Sequence, residues 1–190
     1  MQDISLHLLD IIENSVRASA RNIWISIRIE VLRNELELVV LDDGTGMDAE
    51  TLEHAQNPFY TTKLEREKKV GLGIPLFKQN AEMCNGSFFM NSEPGVGTEL
   101  KAIFELSHVD RMPLGKIGDT MLGAIIGHPE ADFHLKMERL MVSGEVHEFE
   151  FSTAEVKKEL GDIPITYPDV IMYVDSAINE GIKNTKMEEI

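Results

Sequence analysis

The residues best suited to chemistry lie in the run 41–47, where two aspartates and two glycines follow the apolar, strand-like stretch from Glu35 to Leu41. Asp42 would stand at the rim of the core, where a carboxylate is costly unless a donor meets it, and the exocyclic amine of adenine is a suitable donor. Gly44 and Gly46 are expected to allow positive φ and the close approach of a ligand. The same residues are also ordinary turn chemistry, so a surface turn stays open as an alternative.

A second candidate pair lies upstream, in a segment whose apolar residues recur with helical spacing, namely Leu6, Leu9, Val16 and Ala20, with Ile12 and Ile23 nearby. Asp10 and Asn14 are four residues apart, which puts a carboxylate and an amide oxygen on one helix face. Such a pair suits Mg²⁺, which keeps several of its waters and serves phosphate chemistry. A solvated polar stripe is the alternative interpretation.

Downstream, Gly71 and Gly73 precede a predicted helix that has Pro75 in its first turn and ends near Cys84. Backbone N–H groups at such a helix start are free to meet an anion. The spacing fits neither a P-loop nor a dinucleotide-binding fingerprint. The charged stretch 64–69 is interpreted as a mobile lid because it lies between Phe59 and Gly71, and a solvated loop is the alternative.

Five boxes follow one another along the chain: Asp10/Asn14, Asp42-x-Gly44-x-Gly46, Pro58-Phe59-x-Thr61-Thr62-Lys63, Gly71-x-Gly73 and Gly95-x-Gly97-Thr98. In this order they closely resemble the GHKL superfamily, which includes gyrase-type topoisomerases, the ninety-kilodalton chaperone, histidine kinases and mismatch-repair ATPases. The resemblance covers about residues 4–106, and the lid sequence is most similar to histidine kinases of the nitrogen-regulation type. It implies the Bergerat ATP-binding fold.

The resemblance implies ATP and Mg²⁺ as ligands. Asn14 would bind the Mg²⁺, and Asp42 would accept a hydrogen bond from adenine N6. The other nucleotide-binding residues that it implies are Gly44, Gly46 and Met47 around the base, Thr98 in the adenine-side water network, Lys63, Gly71, Leu72 and Gly73 at the phosphates, and Thr62 in the lid sequence.

One departure from the family pattern concerns the general base. Family members that hydrolyse ATP or phosphorylate serine carry Glu four residues before the Asn, where this chain has Asp10, which is one methylene shorter. A base acts only within hydrogen-bond reach of its proton. Glu13 is the second candidate, although helix geometry directs it about 100° from Asn14. Three outcomes stay open: phosphotransfer to a protein, an ATPase-driven conformational switch, and ATP sensing without turnover.

The expected partner is a protein. The Asn-containing box begins at residue 10, so we expect no phosphoacceptor His segment before it and expect transfer to a partner's Ser, Thr or His, as in the stand-alone anti-sigma-factor serine kinases. His7 is expected to be a packing or helix-surface residue. The tail beyond residue 106 resembles stand-alone ATP-binding proteins of anaerobic bacteria found with hydrogenase-type redox subunits, so a redox partner is one expectation. A homodimer is another assembly left open.

Composition narrows the function classes. The 190 residues carry a net charge of −15, which argues against binding to nucleic acid or to an anionic membrane. Cys84 is the only cysteine, so an intrachain disulfide and a Cys-based zinc site are excluded. The tail histidines lack acidic or Cys ligands at fixed spacing and are interpreted as surface residues. With no apolar segment long enough for a bilayer and no signal peptide, the expected location is cytoplasmic.

The predicted fold class is α/β, as an α+β two-layer sandwich with helices on one face of a mixed sheet. We expect an ATP-binding domain at 1–106 and a C-terminal αβ appendage at 107–190. The appendage patterns predict a Gly-interrupted helical segment from 110 to 127, a hairpin from 133 to 151, a helix to Leu160 opened by a Ser152 capping box, and a final helix at 168–182. Its role is either partner docking or cover for an exposed sheet edge.

Overall fold

The computed structural model describes residues 3–56 and 73–187. Within these ranges it contains six helices and six strands. In chain order they are α1 (Ile4–Arg17), β1 (Asn22–Glu30), β2 (Glu35–Asp42), α2 (Ala49–Gln56), α3 (Gly73–Met83), β3 (Ser87–Glu93), β4 (Gly97–Glu105), α4 (Ile117–Gly127), β5 (Asp132–Leu140), β6 (Val146–Ser152), α5 (Thr153–Leu160) and α6 (Pro168–Asn184).

The six strands form one mixed sheet in the order β3-β4-β2-β1-β5-β6. β1 pairs in parallel with β5, and the other four pairings of the described strands are antiparallel. The tail therefore covers the edge of β1 and prolongs the sheet by two strands. The predicted mixed sheet is confirmed, and the division into 1–106 and 107–190 stays a prediction.

Helices pack on one face of this sheet. The central strands alternate buried apolar residues with more exposed ones, so their apolar side chains share the face that the helices cover. α1 packs against α3 and α4, and α4 packs against α6. The opposite face carries cross-strand ion pairs such as Arg28 with Glu138 and Lys136 with Glu150. The predicted two-layer arrangement is confirmed.

Two elements were missing from the sequence prediction. β1 was overlooked because Ile23 was grouped with the preceding helix, although isoleucines at every second position from 23 to 29 are typical of a half-buried strand. All four are buried. α2 was overlooked because none of its residues is buried, so it has no apolar stripe to detect.

The predicted tail helices exist, with corrections at their ends. α4 begins at Ile117 rather than near residue 110, and α6 runs two residues beyond 182. The Ser152 capping box does not form, because the Ser152 hydroxyl lies 3.1 Å from Nδ1 of His134 and makes no cap hydrogen bond. α3 ends as predicted, with Asn85 in the left-handed region just beyond it. Among the described residues, no helix has both the length and the apolar character needed to cross a bilayer.

Candidate functional site

Asp42 is a buried carboxylate at the end of β2, with 6% of its surface exposed. The Ser15 hydroxyl of α1 donates to Oδ2 at 2.7 Å, and the Gly44 N–H donates to Oδ1 at 2.9 Å. On the neighbouring strand, Thr98 is the register partner of Asp42. An ionised carboxylate has about four acceptor positions, so two donors stabilise the charge and leave acceptor capacity for a further donor.

The loop after Asp42 is held between the end of α1 and the β3–β4 turn. The Thr45 N–H donates to the Ala18 carbonyl at 2.8 Å, and the Thr45 carbonyl accepts from the Gly95 N–H at 2.8 Å. The Met47 N–H donates to the Ser92 hydroxyl at 2.8 Å. Backbone bonds on both sides fix the loop, so the acid is presented on a rigid support.

Ser92 extends this support to Thr98. The two hydroxyls lie 2.9 Å apart, and Ser92 also donates to the Gly97 carbonyl at 2.9 Å. Thr98 is thereby held beside Asp42, and its role on the adenine side stays a prediction. Sequence reasoning overlooked Ser15 and Ser92. Ser15 could have been found as a polar residue on the helix stripe that carries Ile11 and Ile12.

The glycines mainly allow close backbone packing. Gly46 has a φ of +64°, and a Cβ on it would lie 2.0 Å from the Glu93 carbonyl oxygen. Gly97 has a φ of +137°, and a Cβ there would lie 1.9 Å from the Asp42 carbonyl oxygen. The expectation of positive φ is confirmed for Gly46 and wrong for Gly44, which has no positive φ. Gly44 is required for space, since its Cβ would lie 2.9 Å from the Cβ of Ala18.

Asp43 ties the loop to the start of β1. Its carboxylate accepts from the Arg21 N–H at 2.7 Å and from the backbone and side-chain amides of Asn22 at 2.8 Å each. Desolvation raises the pKa of Asp43, but the hydrogen bonds from Asn22 and Arg21 together outweigh it and hold that pKa below its ordinary value. Asp43 therefore has a structural role, because it holds the loop against the start of β1.

Asp10 lies against the first residue of α3. A Cβ on Gly73 would be 2.7 Å from Oδ2 and 3.1 Å from Cβ of Asp10, so the absence of a side chain at Gly73 lets the helix start approach this carboxylate closely. A negative charge beside a helix N-terminus is favourable. The structure thus brings together Asp10 and Gly73, which the sequence placed in two separate boxes.

Asn14 is one turn further along α1. Its Oδ1 accepts a hydrogen bond from the Arg17 guanidinium at 2.7 Å, while Nε of Arg17 donates to the Glu13 carbonyl at 3.1 Å. A cation at Asn14 Oδ1 would share this oxygen with Arg17 or displace it. Sequence reasoning missed Arg17, although its position three residues after Asn14 places it on the same helix face.

Glu13 is directed to a different neighbour. Its Oε1 lies 2.9 Å from Nε2 of His128, which follows α4. The side chain of Glu13 is 43% exposed. Glu13 therefore serves a contact between α1 and α4, whereas Asp10 lies at the start of α3.

His7 is a buried histidine beneath the start of α3. It is 3% exposed, and its ring centroid lies 5.0 Å from that of Phe77. Burial is the main influence and lowers the pKa of His7, against the opposing effects of a Gly73 backbone hydrogen bond and of Asp10. His7 is therefore a neutral packing residue, as the sequence indicated.

Several predicted residues lie outside the described ranges, namely Thr62, Lys63, Gly71, Leu72 and the expected lid at 64–69. Within 3–56 and 73–187, no three His, Cys, Asp or Glu side chains cluster as metal ligands would. The tail histidines have other contacts. His134 stacks on Trp24 at 5.3 Å, and His147 lies 3.2 Å from a Glu145 oxygen.

The sequence model of the family described as "Histidine kinase-, DNA gyrase B-, and HSP90-like ATPase" matches residues 2–108. The chain belongs to this family. The GHKL resemblance seen in the sequence is thereby confirmed, while the assignment of Asp42, Asp10 and Asn14 to a nucleotide site stays a prediction.

Two curated relatives of this ATPase-family chain are kinases of Bacillus subtilis. "Sensor histidine kinase YvrG" is 30% identical over 100 residues, which cover 52% of this chain and 17% of the relative. "Sporulation kinase C" is 30% identical over 98 residues, covering 52% of this chain and 22% of the relative. The chain thus spans only a minor part of the length of these two relatives.

Among solved structures, the N-terminal domain of a DNA repair protein superposes with a TM-score of 0.51 at 15% identity, covering 78% of this chain and 52% of that one. At this identity the likeness concerns the fold, and it agrees with the α+β architecture of the family.

Proposed function

We propose that this ATPase-family chain binds Mg·ATP across α1, with the base at the end of β2 and the phosphates at the start of α3, and transfers the γ-phosphate to a partner protein. One observation supports the proposal: residues of a single helix, α1, contact both ends of the proposed site. Ser15 of α1 donates to the buried carboxylate of Asp42, and Asp10 of the same helix lies against Gly73.

At the base end, Asp42 would accept the N6 amine of adenine. Its two oxygens are fixed by Ser15 and Gly44, so the carboxylate cannot turn away from a ligand. Guanine presents an acceptor, O6, where adenine presents its amine, and an acceptor facing a carboxylate is unfavourable. Thr98, held beside Asp42, would bind a water on the adenine side.

At the phosphate end, the donor set fits Mg²⁺. The Asn14 amide oxygen is a hard ligand of the kind that this ion accepts together with phosphate oxygens and waters. When bound, the ion would neutralise charge that develops on the phosphates. Arg17, released from Asn14, carries a positive charge at the same place. The N-terminus of a helix, such as the start of α3, suits an anion.

Asp10 is the better candidate for a general base. It lies beside Gly73, at the end of the site where phosphates are expected, whereas Glu13 is engaged by His128. In the transfer, Asp10 would accept the proton of the attacking hydroxyl or imidazole. The kinase assignment is supported by the family and by relatives that are named as kinases.

The test is transfer of label from γ-labelled ATP to protein in a lysate of the source organism. We expect a labelled band with the wild-type chain that is lost with Asn14→Ala and retained with Glu50→Ala, an exposed site on α2. No labelled protein with the wild-type chain, or equal labelling with Asn14→Ala, would contradict the proposal.

An ATPase-driven switch is the second candidate, because Asp10 could orient a water as well as a partner's hydroxyl at the start of α3. If the chain is such a switch, we expect it to release phosphate from ATP without a partner protein, and we expect Asp10→Asn to abolish this release. Release that persists at the wild-type rate in Asp10→Asn would exclude Asp10 as the base.

A further inference from the structure

A groove of about 360 Å³ separates α5 from α6. Four of its six lining residues are aliphatic or aromatic, and the other two are acidic. The residues lining it are Val156, Glu159 and Leu160 from α5, and Asp169, Val170 and Tyr173 from α6. This part of the chain lies beyond the family match, which ends at residue 108, so the ATPase family gives it no role.

Charge is segregated around this groove. The cations of α5 do not face it: Lys157 donates to the Ala131 carbonyl and to Asp132, both at 2.7 Å. Lys158 is about 200° from Val156 on the helix and therefore lies on the opposite side. Glu159 and Asp169 form no ion pair with any described residue. The groove thus presents two carboxylates without a countercharge.

One aromatic side chain that lines the groove is largely exposed, since 63% of the surface of Tyr173 is accessible to solvent. Tyr167, Met172 and Ile163, which lie in and just before α6, are also exposed, at 53%, 68% and 52%. An exposed aromatic side chain that lines an apolar cleft is typical of a surface that buries an anchor residue of a partner.

We propose that the α5–α6 groove docks a short basic amphipathic segment of a partner protein. An apolar side chain of that segment would fill the floor over Val156, Leu160 and Val170, and Lys or Arg one helical turn away would pair with Glu159 and Asp169. This goes beyond the nucleotide reaction, because nothing in the groove requires ATP.

Electrostatics favour a basic partner over a second copy of the chain. Two copies with a net charge of −15 each would repel one another. A basic segment instead supplies the missing countercharges, and its binding should weaken as salt increases.

The test uses the full chain without nucleotide and a fluorescein-labelled synthetic helical peptide carrying Leu and Phe on one face and Lys and Arg on the other. Binding is followed by fluorescence anisotropy. We expect saturable binding that falls at least about tenfold in Glu159→Lys/Asp169→Lys. A peptide with Glu in place of its cations should not bind.

A matched control separates the groove from net charge. Glu50→Lys/Glu53→Lys makes the same charge change on α2, at two exposed residues, and should alter affinity less than about twofold. Tyr173→Ala removes apolar contact without a change in charge and should also weaken binding. Circular dichroism of each variant confirms that it is folded.

Three results would overturn the proposal. The first is no binding of the basic peptide by the wild-type chain, and the second is equal weakening by the two double variants. The third is a dimer in sedimentation that Tyr173→Ala dissociates, because the occupant would then be a second copy. None of these depends on ATP, so failure here is distinct from failure of the nucleotide site.

Discussion

Replacement of Asp42 by Asn tests the adenine assignment with almost no change in shape. The variant keeps an oxygen to accept from Gly44, and the Ser15 hydroxyl can rotate to accept from the new amide. What it loses is the negative charge and one acceptor. The protein should therefore stay folded while its preference for a base changes.

The magnitude follows from the bonds at this site. A hydrogen bond to an ionised acceptor contributes about 1.5–3 kcal/mol, and about 1.4 kcal/mol corresponds to tenfold in affinity. We expect ATP affinity to fall about 10- to 150-fold in Asp42→Asn. Because the new amide can donate to guanine O6, the affinity for GTP should not fall with it.

The assay is isothermal titration of ATP and of GTP, each with Mg²⁺, into the wild-type chain and into Asp42→Asn. The decisive quantity is the ratio of the two dissociation constants, because a general loss of folded protein would reduce both affinities together. Denaturant unfolding of the same samples reports the free energy of unfolding separately.

Ser15→Ala is the matched control, since it removes one donor to Asp42 and leaves the carboxylate in place. It should lower the free energy of unfolding by about 1–3 kcal/mol and preserve the preference for ATP. An unchanged ATP-to-GTP ratio in Asp42→Asn would refute the assignment of Asp42 to the base.

Three further predictions concern stability. Gly97→Ala should destabilise the protein by more than the roughly 1 kcal/mol typical of a residue with positive φ, because its Cβ would lie 1.9 Å from the Asp42 carbonyl oxygen. Gly95→Ala in the same turn is the control, since its Cβ would meet open space. Denaturant unfolding of both variants checks this prediction, and equal unfolding midpoints would contradict it. Burial lowers the pKa of His7, so the folded protein favours the neutral imidazole. The contribution of His7 to stability is therefore present above the ordinary pKa of 6.5 and is lost as the pH falls below it. The melting temperature of the wild-type chain should fall over this pH range, and His7→Phe should remove that fall. The pKa of Asp43 is held below 3.8, so the contribution of Asp43 to stability is present above that pH and is lost below it. Asp43→Asn should therefore reduce the fall in melting temperature at acidic pH.

Much of the fold could be predicted because residues on a buried face recur with the period of their helix or strand. β2 was assigned from its alternation and ends one residue beyond the predicted Leu41, at Asp42. β1 has an equally clear alternation and was missed because its first isoleucine, Ile23, was grouped with the preceding helix. α2 has no buried face, so its sequence carries no periodic signal.

The sequence predicted which residues could form the candidate site, but it did not predict the contacts between them. The box order indicated Asp42, Asn14 and Asp10, but the donor from Ser15 to Asp42 joins residues 27 apart in the chain. Spacing rules reach only neighbours on one element, whereas such bonds depend on how α1 lies against β2. For the same reason the contact of Glu13 with His128, 115 residues away, could not be foreseen.

The most direct test of Mg·ATP binding at this site is the dependence of ATP affinity on Mg²⁺, measured by titration of the wild-type chain and of Asn14→Ala with and without the ion. The account predicts that Mg²⁺ strengthens ATP binding by the wild-type chain and has little effect on Asn14→Ala. No ATP binding by the wild-type chain, or an undiminished Mg²⁺ effect in Asn14→Ala, would contradict it.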